Sequence, residues 1–465
     1  MHGGEDQEDE EVRETPLDRE RLVLESAALR GRWSRFRSNK ASRREVVGPG
    51  GPSSAALWAA LAASAFLFSF GVLHYGFYAR DSLADTPIYS GYGHAILDGS
   101  VPYRDFAVEY PPGALPVFVL PAAVTPGGGY ASYVAAFEWL MALCGAALAA
   151  AVAIVLVRRH ASRRRLVVAL ALVGLAPLAL GPVMVSRFDL WPAALTAAAL
   201  AALVGGRYRL ALGVLGVAVA AKLYPAALVG PALVYTWRRA GRREALVAGS
   251  VAAAVLGALF LPFVALAPHG LEASIAGQLS RPLQIESLGS GLLLAIHHLD
   301  GLAVTVQSSH GSQNLGGSAA RALALLQGIL QPVAIVLVWV WFARGPATTE
   351  RLVRAGAAAV AAFVALGKVL SPQFLLWLLP LVPLMRARRG LAAGGLLALA
   401  LVLTQLWFPY RYLSLTHGLD PVASSLVLAR DVVLLGLLAA LVWPRQRRRY
   451  EAADTPLVAA LESVD

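Results

Sequence analysis

The 465-residue sequence is poor in charge and in cysteine. Only 15% of its residues are charged and 57% are hydrophobic, and the one cysteine, Cys144, can form no internal disulfide. Neither GxxxxGK[ST] nor GxGxxG occurs, so an ATP-driven pump or a nucleotide-sugar enzyme of the usual kinds has no support. HExxH and HxxxH are absent too, and the adjacent His297 and His298 point to different helix faces. The sequence therefore predicts no metal site and no cofactor.

Lysine is scarce as well. Lys40, Lys222 and Lys368 are the only three, so arginine supplies nearly all of the formal net charge of +11. In a soluble protein this charge would favour a nucleic-acid partner, but here the basic residues form short clusters between apolar runs. The positive-inside rule explains that pattern better, so the sequence predicts membrane lipid and no nucleic acid as a partner.

Long apolar runs dominate the chain between the basic clusters. Placing every cluster in the cytoplasm requires an even number of crossings between neighbouring clusters. We therefore expect an all-α polytopic protein of the plasma membrane, with about twelve transmembrane helices and both termini cytoplasmic. The predicted spans are residues 54–78, 130–157, 166–185, 189–204, 208–221, 223–237, 245–267, 321–343, 352–367, 372–385, 391–408 and 424–443.

Three parts follow from this pattern. Residues 1–50 are acidic and then basic without apolar periodicity, which predicts a disordered cytoplasmic tail. Residues 51–445 form the transmembrane domain, and residues 446–465 form a C-terminal cytoplasmic tail. Residues 79–129 and 268–320 are the two large extracytoplasmic loops.

Each large loop has two predicted parts. In the first loop, residues 111–126 are apolar but short and rich in proline, so they are predicted to be interfacial or re-entrant. The second loop is predicted to begin with a helix on the membrane surface. Its Ser/Gly/Gln-rich stretch SSHGSQNLGGS is predicted to be flexible.

Five basic residues occupy predicted outward positions, where the positive-inside rule should deplete them. They are Arg187, Lys222, Arg281, Lys368 and Arg411. A cavity for a phosphate-bearing lipid explains them. For the two lysines, the alternative is that the side chain reaches the membrane interface without further function.

The first outer loop is rich in carboxylates. Cations that stabilise a leaving phosphate, together with a carboxylate that accepts a hydroxyl proton, suit a transfer reaction. A base on the face opposite the leaving group inverts the sugar configuration. Asp85 is the predicted base and Asp81 the alternative, although Asp85 could instead cap a helix over residues 86–97.

Further polar and aromatic residues are candidates for binding the sugar or acceptor. They are Tyr89, Tyr103, Arg104, Glu109, Gln284, Glu286 and Gln373. Two have competing interpretations: Arg104 forms a local ion pair with Asp105, and Tyr103 belongs to an interfacial aromatic belt.

Five stretches, in this order, resemble the GT-C membrane glycosyltransferases. They are DTPIYSGYGHAILDGSVPYRDFAVEYPP, SRFDLWPAALTAAALAAL, GVAVAAKLYPAALVGPAL, RPLQIESL and KVLSPQFLLWLLPL. More narrowly, the chain is similar to the bacterial family 87 mannosyltransferases that depend on polyprenyl phosphate mannose. Asp85, Tyr89, Gly99 and Tyr103 match that family's pattern in the first outer loop.

The resemblance implies a polyprenyl phosphate sugar as donor, an acidic base in the first outer loop, and a glycolipid or glycan acceptor in cell-envelope biosynthesis. Lys222 and Lys368 match the family's basic positions. Where the family often has a Gly-Gln or Gln-Asn pair, this chain has Arg187, Phe188 and Asp189. The resemblance implies mannose as the sugar, and this departure keeps arabinose or another pentose as the alternative.

Two other classes of function remain as hypotheses. A lipid or solute transporter would explain the many spans, but transporters more often show two homologous halves, and no internal repeat is found. A scaffold in an envelope-synthesis complex is the third.

Overall fold

The computed structural model describes residues 52–77 and 84–443. Both predicted tails, residues 1–50 and 446–465, and the alternative base Asp81 lie outside the described residues.

Helices form most of the described chain. The first nine are α1 (Pro52–Val72), α2 (Thr86–Leu97), α3 (Leu115–Val124), α4 (Tyr130–Arg158), α5 (Arg163–Gly174), α6 (Ala176–Leu180), α7 (Val183–Ser186), α8 (Leu190–Val204) and α9 (Tyr208–Ala221). The others are α10 (Val229–Ala240), α11 (Arg242–Leu266), α12 (Pro268–Leu279), α13 (Leu288–Asp300), α14 (Ser318–Ala343), α15 (Thr349–Leu366), α16 (Ala387–Trp407), α17 (Tyr412–Gly418) and α18 (Pro421–Val442). A π-helical turn, Leu73–Phe77, extends α1, and 3-10 turns lie at Pro112–Ala114, Tyr224–Leu228, Pro372–Leu378 and Val382–Leu384.

Six of the described helices are long and apolar enough to cross a membrane. They are Ser54–Gly76, Tyr130–Arg158, Arg242–Leu266, Ser318–Ala343, Ala387–Trp407 and Pro421–Val442. These helices confirm the predicted all-α polytopic class. Four further apolar helices are shorter: Pro112–Val124, Leu190–Val204, Tyr208–Ala221 and Pro372–Leu384. The count of twelve spans and the cytoplasmic side of the termini stay predictions.

The predicted span 166–185 is not one helix. The structure divides it into α5, α6 and α7. Gly181, which lies between α6 and α7, has a φ of 70°, and Pro182 follows it. Such a pair ends a helix, because a residue at positive φ leaves the right-handed helix and proline has no backbone N–H to donate.

Two helices lie at the edge of the helical packing. In the most apolar stretches of α11 and α14, only 11% of the residues are buried, against 72% in that of α4. The central helix α4 packs against α1 and α8, and α9 packs against α8 and α11. The uncovered apolar faces of α11 and α14 are those expected of helices in contact with lipid.

A small antiparallel sheet lies in the second large loop. Its strands are β1 (Leu283–Gln284), β2 (Thr305–Ser309) and β3 (Ser312–Gly316), in the order β1-β3-β2. His310 and Gly311 join β2 to β3 with φ values of 54° and 63°. Two central residues with positive φ form the tight turn that suits a β-hairpin. The prediction that this stretch is flexible is therefore corrected: it pairs as a hairpin, since the turn matches the strand twist.

The first large loop is pressed against the helices. The Trp191 indole N–H donates a hydrogen bond of 3.1 Å to the Gly113 carbonyl. A Cβ on Gly113 would lie 2.5 Å from the carbonyl carbon of Ala220 and 2.6 Å from the nitrogen of Ala221. Only glycine allows this approach, which holds the loop against the end of α9.

Candidate active site

The loops and corners that were predicted to face outward converge on one cavity of about 630 Å³. The start of α2, the end of α9, the β2–β3 hairpin and the chain before Pro372–Leu378 all contribute to its wall. Nine predicted site residues line it: Asp85, Glu109, Arg187, Lys222, Arg281, Gln284, Glu286, Lys368 and Gln373.

Asp85 is held by two neighbours at the entrance of α2. Nη1 of Arg187 lies 3.0 Å from its Oδ1, and the Tyr89 hydroxyl donates to its Oδ2 at 3.2 Å. The Asp85 side chain makes no capping hydrogen bond to α2. The carboxylate is therefore not engaged in helix capping. It lines the cavity, and each of its oxygens has a partner that orients it.

Lys222 directly follows α9 and also lines the cavity. Its Nζ donates to Oδ1 of Asp189 at 2.7 Å, and Nε1 of Trp377 donates to the same oxygen at 2.7 Å. Nζ also lies 4.6 Å from the ring centre of Phe188 and 5.3 Å from that of Trp377. The lysine is thus enclosed by a carboxylate and aromatic faces.

Arg281 and Lys368 form a second cationic region. Burial lowers the pKa of Arg281, while the carboxylates of Glu109 and Glu286 raise it. Burial also lowers the pKa of Lys368, and the charge of Arg281 adds to that effect. The Lys368 ammonium donates to the Leu279 carbonyl at 2.8 Å. The two side chains therefore share one electrostatic environment beside the cavity.

Glu286 lies on a buried polar wall. Nε2 of Gln284 donates to Oε2 of Glu286 at 2.7 Å and to the Ser371 hydroxyl at 2.9 Å. Burial raises the pKa of Glu286 to about 7, although Arg430, Arg187 and Arg281 oppose the shift. This carboxyl is therefore mostly protonated below about pH 7.

A charged pair inside a predicted span supports this wall. Arg430 and Asp431 on α18 are 0% and 1% exposed, and Nε of Arg430 lies 2.7 Å from Oδ1 of Asp431. Nη2 of Arg430 donates to the Glu286 carbonyl at 2.6 Å. Charges at membrane depth are a recognised signal of function, but the sequence analysis did not use them.

Four predicted site residues do not line the cavity, and these assignments are corrected. Tyr89 is 1% exposed and stacks on Phe118, and Tyr103 is 5% exposed and donates its hydroxyl to the Tyr110 carbonyl. Because both rings are buried, neither can stack on a sugar, and the interfacial belt stays a prediction for Tyr103.

The other two are arginines, each paired with a nearby aspartate. Arg104 forms the predicted ion pair with Asp105, at 2.9 Å. Arg411 pairs with Asp420 at 3.4 Å. Both guanidinium groups are about half exposed and are directed to these carboxylates.

Several cavity residues were missed by the sequence analysis. They include Gln278, His310, Gln331, Trp377 and Tyr412. Asp189 was noted only as a departure from a family motif. Among residues 52–77 and 84–443, no three His, Cys, Asp or Glu side chains are grouped to hold a metal; the metal-free site stays a prediction.

A helical bundle of membrane-length helices with a cavity that combines a carboxylate and cations defines a membrane-embedded enzyme of group transfer. The model of glycosyltransferase family 87 matches residues 108–372, which is more than half of the chain. The protein belongs to glycosyltransferase family 87 and is a glycosyltransferase. The matched range contains four of the cavity's cations, whereas Asp85 precedes it.

Among solved structures, the chain is similar to ArnT from Cupriavidus metallidurans, whose crystal structure is bound to undecaprenyl phosphate. The identity is 17% and the TM-score 0.43, and the match covers 83% of this chain and 76% of that chain. No curated protein matches the sequence.

Proposed function

We propose that the protein transfers mannose from polyprenyl phosphate mannose to a glycolipid or glycan acceptor, with inversion, on the extracytoplasmic face of the plasma membrane. One observation carries the proposal: Asp85 and the four cations Arg187, Lys222, Arg281 and Lys368 line the same cavity. Family membership supports glycosyl transfer. The four cations favour a donor whose leaving group is a phosphate.

A lipid-linked phosphate suits the surroundings of the cavity. Gly328 and Gln331 of α14 belong to its wall, and α14 shares with α11 the smallest buried share among the described membrane-length helices. A polyprenyl chain can therefore lie along an apolar helix while its phosphate reaches the cations. A water-soluble sugar phosphate would gain nothing from that apolar surface.

In the proposed step, the acceptor hydroxyl attacks the anomeric carbon from the face opposite the phosphate. Its proton passes to Asp85 as the new glycosidic bond forms. The bond between the anomeric carbon and the phosphate oxygen breaks, and its electron pair leaves with polyprenyl phosphate. Lys222, Arg281 and Lys368 stabilise the charge on that leaving group.

We assign sugar and acceptor binding to Glu109, Gln284, Glu286 and Gln373. Oε1 of Gln284 supports this assignment, since it is buried and accepts no hydrogen bond from the described residues. A sugar hydroxyl that donated to this oxygen would satisfy it, and an unsatisfied buried acceptor is costly. Arabinose, which the sequence analysis kept as an alternative, is tested beside mannose.

The test measures transfer of radiolabelled mannose from polyprenyl phosphate to endogenous acceptor in membranes that contain the protein. Asp85→Asn is expected to reduce transfer about 100- to 10,000-fold while the protein level is unchanged. The matched control is Asp98→Asn, which alters an exposed carboxylate after α2 and should leave transfer intact.

Full activity of Asp85→Asn would show that the base is another residue. Absence of transfer by the wild type, with mannosyl and arabinosyl donors alike, would overturn the proposed donor class.

A further inference from the structure

Asp189 has no part in the mechanism above, yet it is fully buried beside the cavity. It lies in the short connection between α7 and α8, two residues after Arg187. A buried carboxylate is costly unless it is paired, so its partners indicate why the chain carries it.

Both partners of Asp189 use one oxygen. The Lys222 ammonium and the Trp377 indole N–H each donate to Oδ1 at 2.7 Å. Oδ2 is buried and accepts no hydrogen bond from the described residues. The ion-pair partner of this carboxylate is thus Lys222, at its Oδ1.

The surroundings of Lys222 would otherwise favour the neutral amine. Phe188, Phe374 and Trp377 place their ring centres 4.6, 5.6 and 5.3 Å from Nζ. Burial lowers the pKa of Lys222, and the charge and hydrogen bond of Asp189 raise it again. A neutral lysine would bring no positive charge to a leaving phosphate.

Two other charged groups act on this lysine. Asp85 raises its pKa and Arg187 lowers it, and both effects are smaller than that of Asp189. Because Asp85 and Arg187 are paired with each other at 3.0 Å, their charges partly cancel at Lys222. Among the charged groups that act on Lys222, Asp189 therefore contributes most to keeping the ammonium form.

We propose that Asp189 is a positioning residue that keeps Lys222 charged and directed toward the donor phosphate. The inference rests on the proposed function, because it assumes a phosphate in the cavity. An ammonium group has three donors and gives one to Asp189, so two are left for phosphate oxygens. Asp189 would not touch the substrate.

The test follows binding of a polyprenyl phosphate without sugar to the purified full chain, from pH 6 to pH 10. For the wild type, binding should weaken at alkaline pH as Lys222 loses its proton. In Asp189→Asn, the midpoint of that loss should move to lower pH by about one to three units, with binding restored at pH 6. In Asp189→Glu, the midpoint should return most of the way to the wild-type value. In Lys222→Met, the alkaline loss of binding that depends on Lys222 should be absent.

Glu244→Gln is the matched control. It removes the carboxylate of an ion pair with Arg209, on helices α9 and α11 and outside the cavity wall. Its alkaline midpoint should equal that of the wild type. If Asp189→Asn weakened polyprenyl phosphate binding by the same factor at every pH, the inference would be overturned. Such a loss would follow from a damaged fold and not from the charge of Lys222.

A second measurement separates this inference from the proposed function. Reductive methylation of Lys222, followed by mass spectrometry across the same pH range, reports the protonation of the lysine without ligand. A downward shift of the labelling midpoint in Asp189→Asn supports the effect on charge. An unchanged midpoint overturns the inference even where the wild type binds polyprenyl phosphate. If the wild type binds no polyprenyl phosphate, the proposed function and the phosphate-directing role both fail, whatever the labelling shows.

Discussion

Nη1 of Arg187 lies 3.0 Å from Oδ1 of Asp85, so the proposed base is one half of an ion pair. The arginine side chain is 9% exposed and the aspartate side chain 27%, which leaves the carboxylate as the accessible partner. The Tyr89 hydroxyl fixes the other oxygen of Asp85. Arg187 therefore orients the base as well as adding positive charge to the cavity, and substitutions at the two positions should not act independently.

The first prediction concerns this pair. Arg187→Lys keeps the charge but loses the planar fork, and transfer is expected to fall about tenfold. Arg187→Met should lower transfer at least about 100-fold, since Asp85 loses the partner that orients it. Initial rates with polyprenyl phosphate mannose in membranes measure both effects.

The double variant Asp85→Asn/Arg187→Met provides the control for coupling. Residues that act as a unit show strongly non-additive losses, so the double variant should be little worse than Asp85→Asn alone. Multiplication of the two single losses would show that Arg187 acts on the donor independently of the base.

The second prediction concerns Glu286 and pH. Burial raises its pKa from 4.5 to about 7, so the folded protein binds the proton more tightly than the unfolded chain does. The stabilising contribution of the protonated form is complete below about pH 4.5 and is lost as pH rises through about 7. The corresponding decrease in the free energy of unfolding is about 3 kcal/mol.

Glu286→Gln removes this titration, because the amide is neutral at every pH. The apparent melting temperature of the purified variant should therefore fall less between pH 5 and pH 8 than that of the wild type. Glu272→Gln, which changes a carboxylate on α12 outside the cavity wall, is the matched control and should keep the wild-type slope. Identical slopes for Glu286→Gln and wild type would mean that Glu286 is already ionised at pH 5.

Much of the cavity wall could be predicted from the sequence. Arg187, Lys222 and Lys368 were selected because cations at outward corners contradict the usual charge bias, and that signal is local to each corner. Asp189 could not be assigned in this way. Its partner Lys222 follows 33 residues later, and their contact depends on how α8 and α9 pack. Arg411 is the opposite case. The sequence pattern assigned it to the cavity, but its guanidinium group pairs with the nearby Asp420.

The second large loop was predicted less well for a different reason. The sequence of the β2–β3 turn, His310 and Gly311, lacks the Asn-Gly or Asp-Gly pair that signals a hairpin most clearly. Polar composition was therefore interpreted as flexibility. The buried Glu286 lies two residues after β1, which pairs with β3. That pairing depends on contacts between segments about 30 residues apart, as in the pair Leu283 and Leu315.

The third prediction tests how the first loop is held against the site. A methyl group at Gly113 would meet backbone atoms of Ala220 and Ala221, the two residues that precede Lys222. Backbone cannot yield as a flexible side chain does, so Gly113→Ala must push the loop and the end of α9 apart. The expected loss of stability is about 1–3 kcal/mol. Transfer should fall further than stability explains, because Lys222 moves relative to Asp85.

Gly91→Ala is the matched control: no atom lies within 4 Å of its added methyl group, and alanine favours the helix α2 by up to about 1 kcal/mol. The melting temperature should therefore fall for Gly113→Ala and stay equal or rise for Gly91→Ala. Mannose transfer should fall only for Gly113→Ala. Equal behaviour of both variants would show that the close approach at Gly113 does not position Lys222.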